Sequence, residues 1–380
     1  MNAFESFLYT ATFWSSFLTI GNGKFHVSIL EGGSKLKRLS IKKWNCLGLV
    51  SILFSLFSFL IPNNNAYAGP TMPPTSPSFY GSANTTTSYN AGCSLGTDDK
   101  NSGFSGYKYV IISYGAPQYN GTNYGASIFG SGFYTTRQIA DAVDQFAKGY
   151  YICTGSNTAA KIIIGVGTSN SKATSNSIFT QSSSVVTNHG SAWSAMITQI
   201  ASELGSNGWS SQTSVQGAID IEPNFYGSKT LTRTWVDGYS ASLSNNFVNF
   251  GAADGCPASG TGNCDNGWTL SDMYYVSWGN AKALAFPEIY STTESTLSNG
   301  TVTDTNAKQW YNISKQAASS GSSKISFTGA LSQNSACNQV GGCSGTDATP
   351  LKSWWYLYNA LDADTQTTST PVYSSDIRWM

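Results

Sequence analysis

The sequence predicts an α/β fold, a (β/α)8 TIM-like barrel forming one domain over residues 106–380. Three observations predict it. Short apolar runs alternate strictly with longer helical patterns, giving seven strands and six helices. The strands are apolar on both faces, as in a parallel sheet covered on two sides. The span of about 275 residues is near the roughly 250 typical of such barrels. A doubly wound sheet shares the alternation. However, "GVGTSN" puts Asn170 where a dinucleotide-binding G-x-G-x-x-G motif needs its third glycine.

The elements follow in order. "YVIISYG" (residues 109–115) is the first strand. "TTRQIADAVDQFAKGYYI" carries Ile139, Ala142, Val143 and Phe146 on one helical face, with Thr135 or Thr136 as N-cap. "KIIIGVG" is a strand, and "SAWSAMITQIASELGSNG" a helix closed by Gly205 or Gly208. "VQGAIDIE", "FVNFGA", "KALAFPEIY", "KISFTGAL" and "VYSSDIRW" are the remaining strands. Between them lie helices in "TRTWVDGYSASLSN", "TLSDMYYVSWG" and "DTNAKQWYNISKQAASSG", and in "PLKSWWYLYNALDAD" with Pro350 near its first turn. An eighth strand is not evident. "GASIFGSGFY" (residues 125–134) is the stretch that would supply an irregular one, so a distorted barrel is expected.

The segments before residue 106 are expected to lie outside the domain. Residues 69–105, rich in Pro, Ser, Thr and Asn, read as a linker. Residues 1–68 read as an N-terminal extension and signal peptide: a cationic "KLKRLSIKKW", an apolar "CLGLVSILFSLFSFLI", and Ala66-Tyr67-Ala68 as the cleavage site. The apolar run is shorter than the ~20 residues of a spanning helix. Export, with no membrane attachment of the mature form, is the expectation. Only 11% of residues are charged, and six cysteines follow the apolar run. An even number in an exported chain reads as disulfides. Proximity suggests Cys256 with Cys264 and Cys337 with Cys343, leaving Cys93 with Cys153. Beyond residue 46 there are 14 basic and 18 acidic groups, so no basic stripe is left for nucleic acid. A monomer is expected.

The chemistry concentrates in "GAIDIEPNF" (residues 217–225). Asp220 and Glu222 share parity, so both face one side of the strand; with Ile219 and Ile221 packed outward, that side is the barrel axis. Strand C-terminal ends carry the active site in such barrels. Those ends also bring Tyr114, Gln118, Asn224, Tyr226, Glu288, Tyr290, Gln333 and Trp379, with Asp254 and Asp376 nearby. Two carboxyls held close split their pKa values, leaving one acid beside one base, and Glu288 would add a third across the cleft. Aromatic rings at 13% of the chain, mixed with amides, suit a saccharide. No cofactor motif and no metal set stand out: there is no C-x-x-C, no calcium loop, and one histidine, His189, in the exported part. His189 reads as a surface residue, and no G-x-S-x-G elbow is present.

"AIDIEP" resembles the Asp-x-Glu strand ending of barrel glycoside hydrolases, such as family 25 lysozymes and family 18 chitinases. The resemblance implies Glu222 as proton donor and Asp220 as its assistant. Val215 and Ala218 stand where the fuller chitinase pattern has aspartates, and "YVIISYG" carries no acid where the lysozyme pattern has one. Two expectations follow. One is a secreted glycosidase using Glu222, Asp220 and Glu288 on a polysaccharide or peptidoglycan, with Tyr114, Gln118, Asn224, Tyr226, Tyr290, Gln333 and Trp379 binding substrate. The other is a non-catalytic carbohydrate- or surface-binding module on a degenerate barrel.

Overall fold

The computed structural model describes the strands Ser16–Gly21, Lys24–Glu31 and Lys35–Ile41 and, from residue 69 on, everything except residues 130, 173–175, 226–227 and 243–244. The chain divides into two units at Gly69 and Pro70. In the first, those three strands form an antiparallel sheet. Residues 1–68, set aside above as extension and signal, thus contain a sheet, and it takes in most of the expected cationic segment. The apolar run and the cleavage site lie outside the described residues. No described helix is long and apolar enough to cross a membrane.

The second unit is built on eight parallel strands: β1 Thr75–Tyr80, β2 Gly106–Ser113, β3 Ala160–Ser169, β4 Thr213–Asp220, β5 Phe247–Asn249, β6 Ala283–Ala285, β7 Gly329–Ser332 and β8 Tyr373–Trp379. Their spatial order is β6-β5-β4-β3-β2-β1-β8-β7. The sheet curls until β6 and β7 meet through parallel bridges, Ala285 with Phe327 and Glu288 with Leu331. The Thr328 N–H donates to the Ala285 carbonyl at 2.7 Å, and Ile289 N–H to Leu331 at 2.9 Å. The result is a nearly closed, barrel-like parallel sheet. Around it lie α1 Thr85–Ser102, α2 Thr136–Cys153, α3 Ser183–Ser206, α4 Lys229–Ser242, α5 Leu270–Tyr274, α6 Thr305–Ser319, α7 Asn334–Gln339 and α8 Pro350–Asp362.

Residues 69–105 are not a linker. They hold β1 and α1, and the missing strand is "TSPSFY" rather than "GASIFGSGFY". Both escape an apolar pattern for physical reasons. The inward positions of β1 are serines, satisfied inside the barrel: Ser78 Oγ pairs with Ser375 Oγ at 2.6 Å and accepts from Ile111 N–H at 2.8 Å, beside Pro77. In α1 the buried face is Ser88, Gly92, Leu95, Gly96 and Asp99. It packs on α2 so closely that a Cβ on Gly92 would sit 2.0 Å from the Phe146 carbonyl. The Cys93–Cys153 disulfide joins the two helices, and Asp99, buried beneath them, meets Lys108 and the Tyr150 hydroxyl. "GASIFGSGFY" instead belongs to a small antiparallel sheet, Ala116–Tyr119, Tyr124–Ile128 and Gly132–Thr135, inserted after β2.

Alternate residues along the strands feed two cores. Val110, Ile112, Ile162, Ile164, Val166, Ile219 and Ile221 pack outward under the helices. Tyr109, Ile111, Ala218, Val248, Phe250, Phe286, Leu331 and Ile377 fill the inside. Thr135 caps α2 in a reciprocal capping box with Gln138. All three expected disulfides are present: Cys93–Cys153, Cys256–Cys264 and Cys337–Cys343. They are compatible with an extracellular protein.

Candidate functional site

A cavity of about 670 Å³ opens at the C-terminal ends of the strands. Its lining takes Tyr80 from β1, Ser113 from β2, Ser169 from β3, Asp220 from β4 and Trp379 from β8, with Glu222, Glu288 and Gln333 just beyond their strands. Phe129 and Ile128 of the inserted sheet form one wall; Cys337, Val340 and Cys343 belong to another.

The floor is set by the end of β4. Ala218 is inside the barrel, so Asp220, two residues on, faces the same way. Two asparagines hold the backbone here. Asn170, following β3, donates its amide to the Glu222 carbonyl at 3.0 Å and accepts from Glu222 N–H at 3.1 Å. Asn249 on β5 accepts from both Ile221 N–H and Gly251 N–H at 3.1 Å and donates to Ser277 Oγ at 2.8 Å. Both asparagines are fully buried. The two carboxylates therefore stand on a clamped backbone, as a preorganised site requires.

Asp220, Glu222 and Glu288 converge, each placing a carboxylate oxygen within 4.8 Å of the other two. Glu222 also lies within hydrogen-bonding reach of Glu288 and of Asp254, and accepts from the Ala252 backbone. One oxygen of Asp220 is buried without a partner. Burial first, and then repulsion among the acids, raises every carboxyl in the group. Glu222 is pushed up to about 8, Asp220 and Glu288 well above the usual carboxylate range, and Asp254 less far. Such a cluster titrates as a unit and holds fewer charges than carboxyls. Three oxygens at this spacing could also surround a divalent cation.

Aromatic rings frame the acids. The Tyr290 hydroxyl is buried beside Tyr80 and Glu288 without a well-aligned hydrogen bond to either. Burial and the nearby acids push both tyrosine hydroxyls well above their ordinary range. Tyr80 packs against Trp379 with ring centroids 4.5 Å apart and against Phe129 at 5.1 Å. Trp379 is 40% exposed and Phe129 39%. The backbone of Trp379 is gripped by the Gln339 amide, which accepts from its N–H at 2.7 Å and donates to its carbonyl at 3.1 Å.

Of the residues expected from sequence, Glu222, Asp220, Glu288, Tyr290, Gln333 and Trp379 line the cavity. Tyr114 does not: it alternates outward from Ser113 and is buried in the layer under the helices. Gln118 does not either: it sits in the inserted sheet, buried and bridged to Ser177. Asn224 is exposed on the turn after β4 and is not part of the lining. Tyr226 lies outside the described residues. Asp376 is structural, accepting from Ser332 Oγ at 2.6 Å and from Ser335 N–H at 3.1 Å. His189 is fully buried, not at the surface. Its Nε2 donates to the Gly125 carbonyl and its Nδ1 accepts from Trp235 Nε1–H, both at 2.9 Å. The expected substrate-binding set left out Tyr80, Phe129, Phe225, Ser113 and Ser169, which also line the cavity. The parity of Ser113 with Tyr109 and Ile111 is the signal that marks it as inward.

The sequence matches no known family model, and no curated protein matches it significantly.

Proposed function

We propose that the second unit is a (β/α)8 barrel glycoside hydrolase, exported, that cleaves O-glycosyl bonds in a polysaccharide or a cell-wall glycan such as peptidoglycan. The observation that carries the reading is the convergence of Asp220, Glu222 and Glu288 within 4.8 Å at the floor of an aromatic-walled cavity. Glycoside cleavage needs one carboxyl that keeps its proton and one that gives it up. Repulsion inside a buried cluster enforces that division, because all three cannot ionise together. Glu222, raised to about 8, holds its proton at neutral pH and serves as the acid. Glu288, itself raised well above the usual range by burial and by Asp220 and Glu222, serves as the carboxylate for the anomeric carbon in the state of the coupled cluster that keeps the proton on Glu222. Retaining enzymes hold their carboxyls about 5–5.5 Å apart, whereas inverting ones need about 6.5–9.5 Å to seat a water. The close spacing favours retention. Tyr80, Trp379 and Phe129 offer faces on which the C–H side of a sugar ring stacks.

The half-exposed Trp379–Phe129 rim also favours a second reading, a non-catalytic saccharide-binding module. Proton NMR of the products from a panel of aryl glycosides and peptidoglycan fragments separates the two. The hydrolase releases the β-anomer from a β-linked substrate before mutarotation. Initial release of the inverted anomer would contradict the carboxylate roles. Binding without product would favour the second reading.

A further inference from the structure

The ring of Trp379 has little packing of its own. It is 40% exposed, tilted by 36° on Tyr80 and edge-on to Phe129 with centroids 5.4 Å apart. Phe129 is itself 39% exposed. The strand beneath is supported on one side only. There β8 pairs with β1 as far as Trp379 and Tyr80. The Met380 N–H donates to the Tyr80 carbonyl at 3.3 Å, so the polar backbone groups of Trp379 itself face the other side. On that side β7 stops at Ser332, opposite Asp376, short of Trp379. An edge left open exposes its N–H and C=O groups. The Gln339 side-chain amide occupies it, accepting from the Trp379 N–H at 2.7 Å and donating to the Trp379 carbonyl at 3.1 Å. One amide completes, for one residue, the ladder that β7 leaves unfinished.

Gln339 stands on a fixed base. It ends α7, whose Ser335 N–H donates to Asp376 at 3.1 Å and whose Asn334 amide donates to the Asp347 carbonyl at 2.9 Å. The turn after it is closed by the Cys337–Cys343 disulfide and by Gly342 N–H donating to the Cys337 carbonyl at 2.7 Å. Ala336, Cys337, Val340 and Cys343 of this segment line the cavity, whereas Gln339 is exposed and does not. We propose that Gln339 is a positioning residue: acting through the Trp379 backbone, it fixes the ring as a platform on which a sugar stacks and ties that platform to the α7 wall of the cavity. The proposal rests on the reading of the site as a saccharide cleft. Because Gln339 lies outside the lining, it acts on Trp379 rather than on the sugar.

The first test needs no ligand. The protein is labelled with 5-fluorotryptophan, and the Trp379 ¹⁹F NMR signal is assigned by its loss in Trp379→Phe. Gln339→Met keeps the length of the side chain and removes the amide; Gln339→Ala removes both. In each, the Trp379 signal leaves its wild-type position toward that of free 5-fluorotryptophan, while the other tryptophan signals and the urea midpoint stay put. A Trp379 signal unchanged in either variant would overturn the proposal. So would displacement of the tryptophan signals as a set, which marks a general structural role. Chitotetraose is then titrated against the same signal on the Glu222→Gln background. Its dissociation constant rises about five-fold or more in both Gln339 variants. A constant that stays put while the ring moves also overturns the proposal. Failure of the saccharide reading shows separately, as no response to chitotetraose when Gln339 is intact, and leaves the ligand-free spectra to judge the grip on Trp379.

Discussion

Glu222→Gln should make the protein more stable at neutral pH. The raised carboxyl binds its proton more tightly in the fold than in the unfolded chain, where its value is near 4.5. Its favourable contribution is complete below about 4.5 and is lost as the pH climbs through about 8. At pH 7 the unfolded chain has released this proton and the folded one still holds it. The difference of about 2.5 units costs the fold about 3 kcal/mol. Partial exposure to the cavity screens the charge and reduces this to about 2 kcal/mol. At pH 5 the same arithmetic leaves under about 1 kcal/mol. Glutamine copies the protonated shape and removes the titration. Urea unfolding followed by tryptophan fluorescence at both pH values measures the gap. A gain of about 2 kcal/mol at pH 7 that shrinks below about 1 kcal/mol at pH 5 is expected. A loss of stability at pH 7, or an equal effect at both, would refute the reasoning.

Three further outcomes follow from the packing. His189→Phe orphans the Gly125 carbonyl and the Trp235 N–H and should cost about 2–4 kcal/mol in the same urea assay. In the wild type, burial lowers this histidine to about 4 from 6.5, so its contribution is intact above 6.5 and falls away as the pH drops toward 4. Replacing Cys93 and Cys153 by serine opens a link between residues 60 apart and should cost about 4 kcal/mol of thermal or urea stability. Trp379→Ala should weaken oligosaccharide binding by about ten-fold or more, read by calorimetry on the inactive Glu222→Gln background, with stability changed little because the ring is 40% exposed.

The parts of the fold and site that were legible in the sequence share one property: their pattern is local. The Asp-x-Glu ending of β4 shows itself because Ala218 and Asp220 alternate with Ile219 and Ile221. Cysteine proximity gave two short disulfide loops and left the third pair by elimination. What was missed is stabilised by contacts that leave no apolar period. Strand β1 turns serines inward and satisfies them on its neighbours β2 and β8. Helix α1 packs through glycine and serine, so closeness to α2 replaces side-chain bulk. Tyr80 was lost with them, since it ends the strand taken for linker. Tyr114 was misplaced although the parity rule that served Asp220 applies to it: from Tyr109 and Ile111 it alternates outward. Gln118 depended on an inserted sheet whose path only the three-dimensional arrangement gives. Glu288, expected across the cleft, reaches the acids of β4 through the strand order β6-β5-β4 and the curl of the sheet, 66 positions along the sequence from Glu222.

The central claim is that the buried carboxyls cleave glycosidic bonds. Reducing-end release from polysaccharides and peptidoglycan, measured for residues 69–380 as wild type, Glu222→Gln and Glu288→Gln, with chelator added in parallel, tests it most directly. The account predicts turnover that is unaffected by chelator and falls by at least about a hundred-fold in Glu222→Gln, since the loss of an acid catalyst removes on the order of 10²–10⁴ in rate. Turnover in Glu222→Gln equal to the wild type, or turnover abolished by chelator alone, would contradict it.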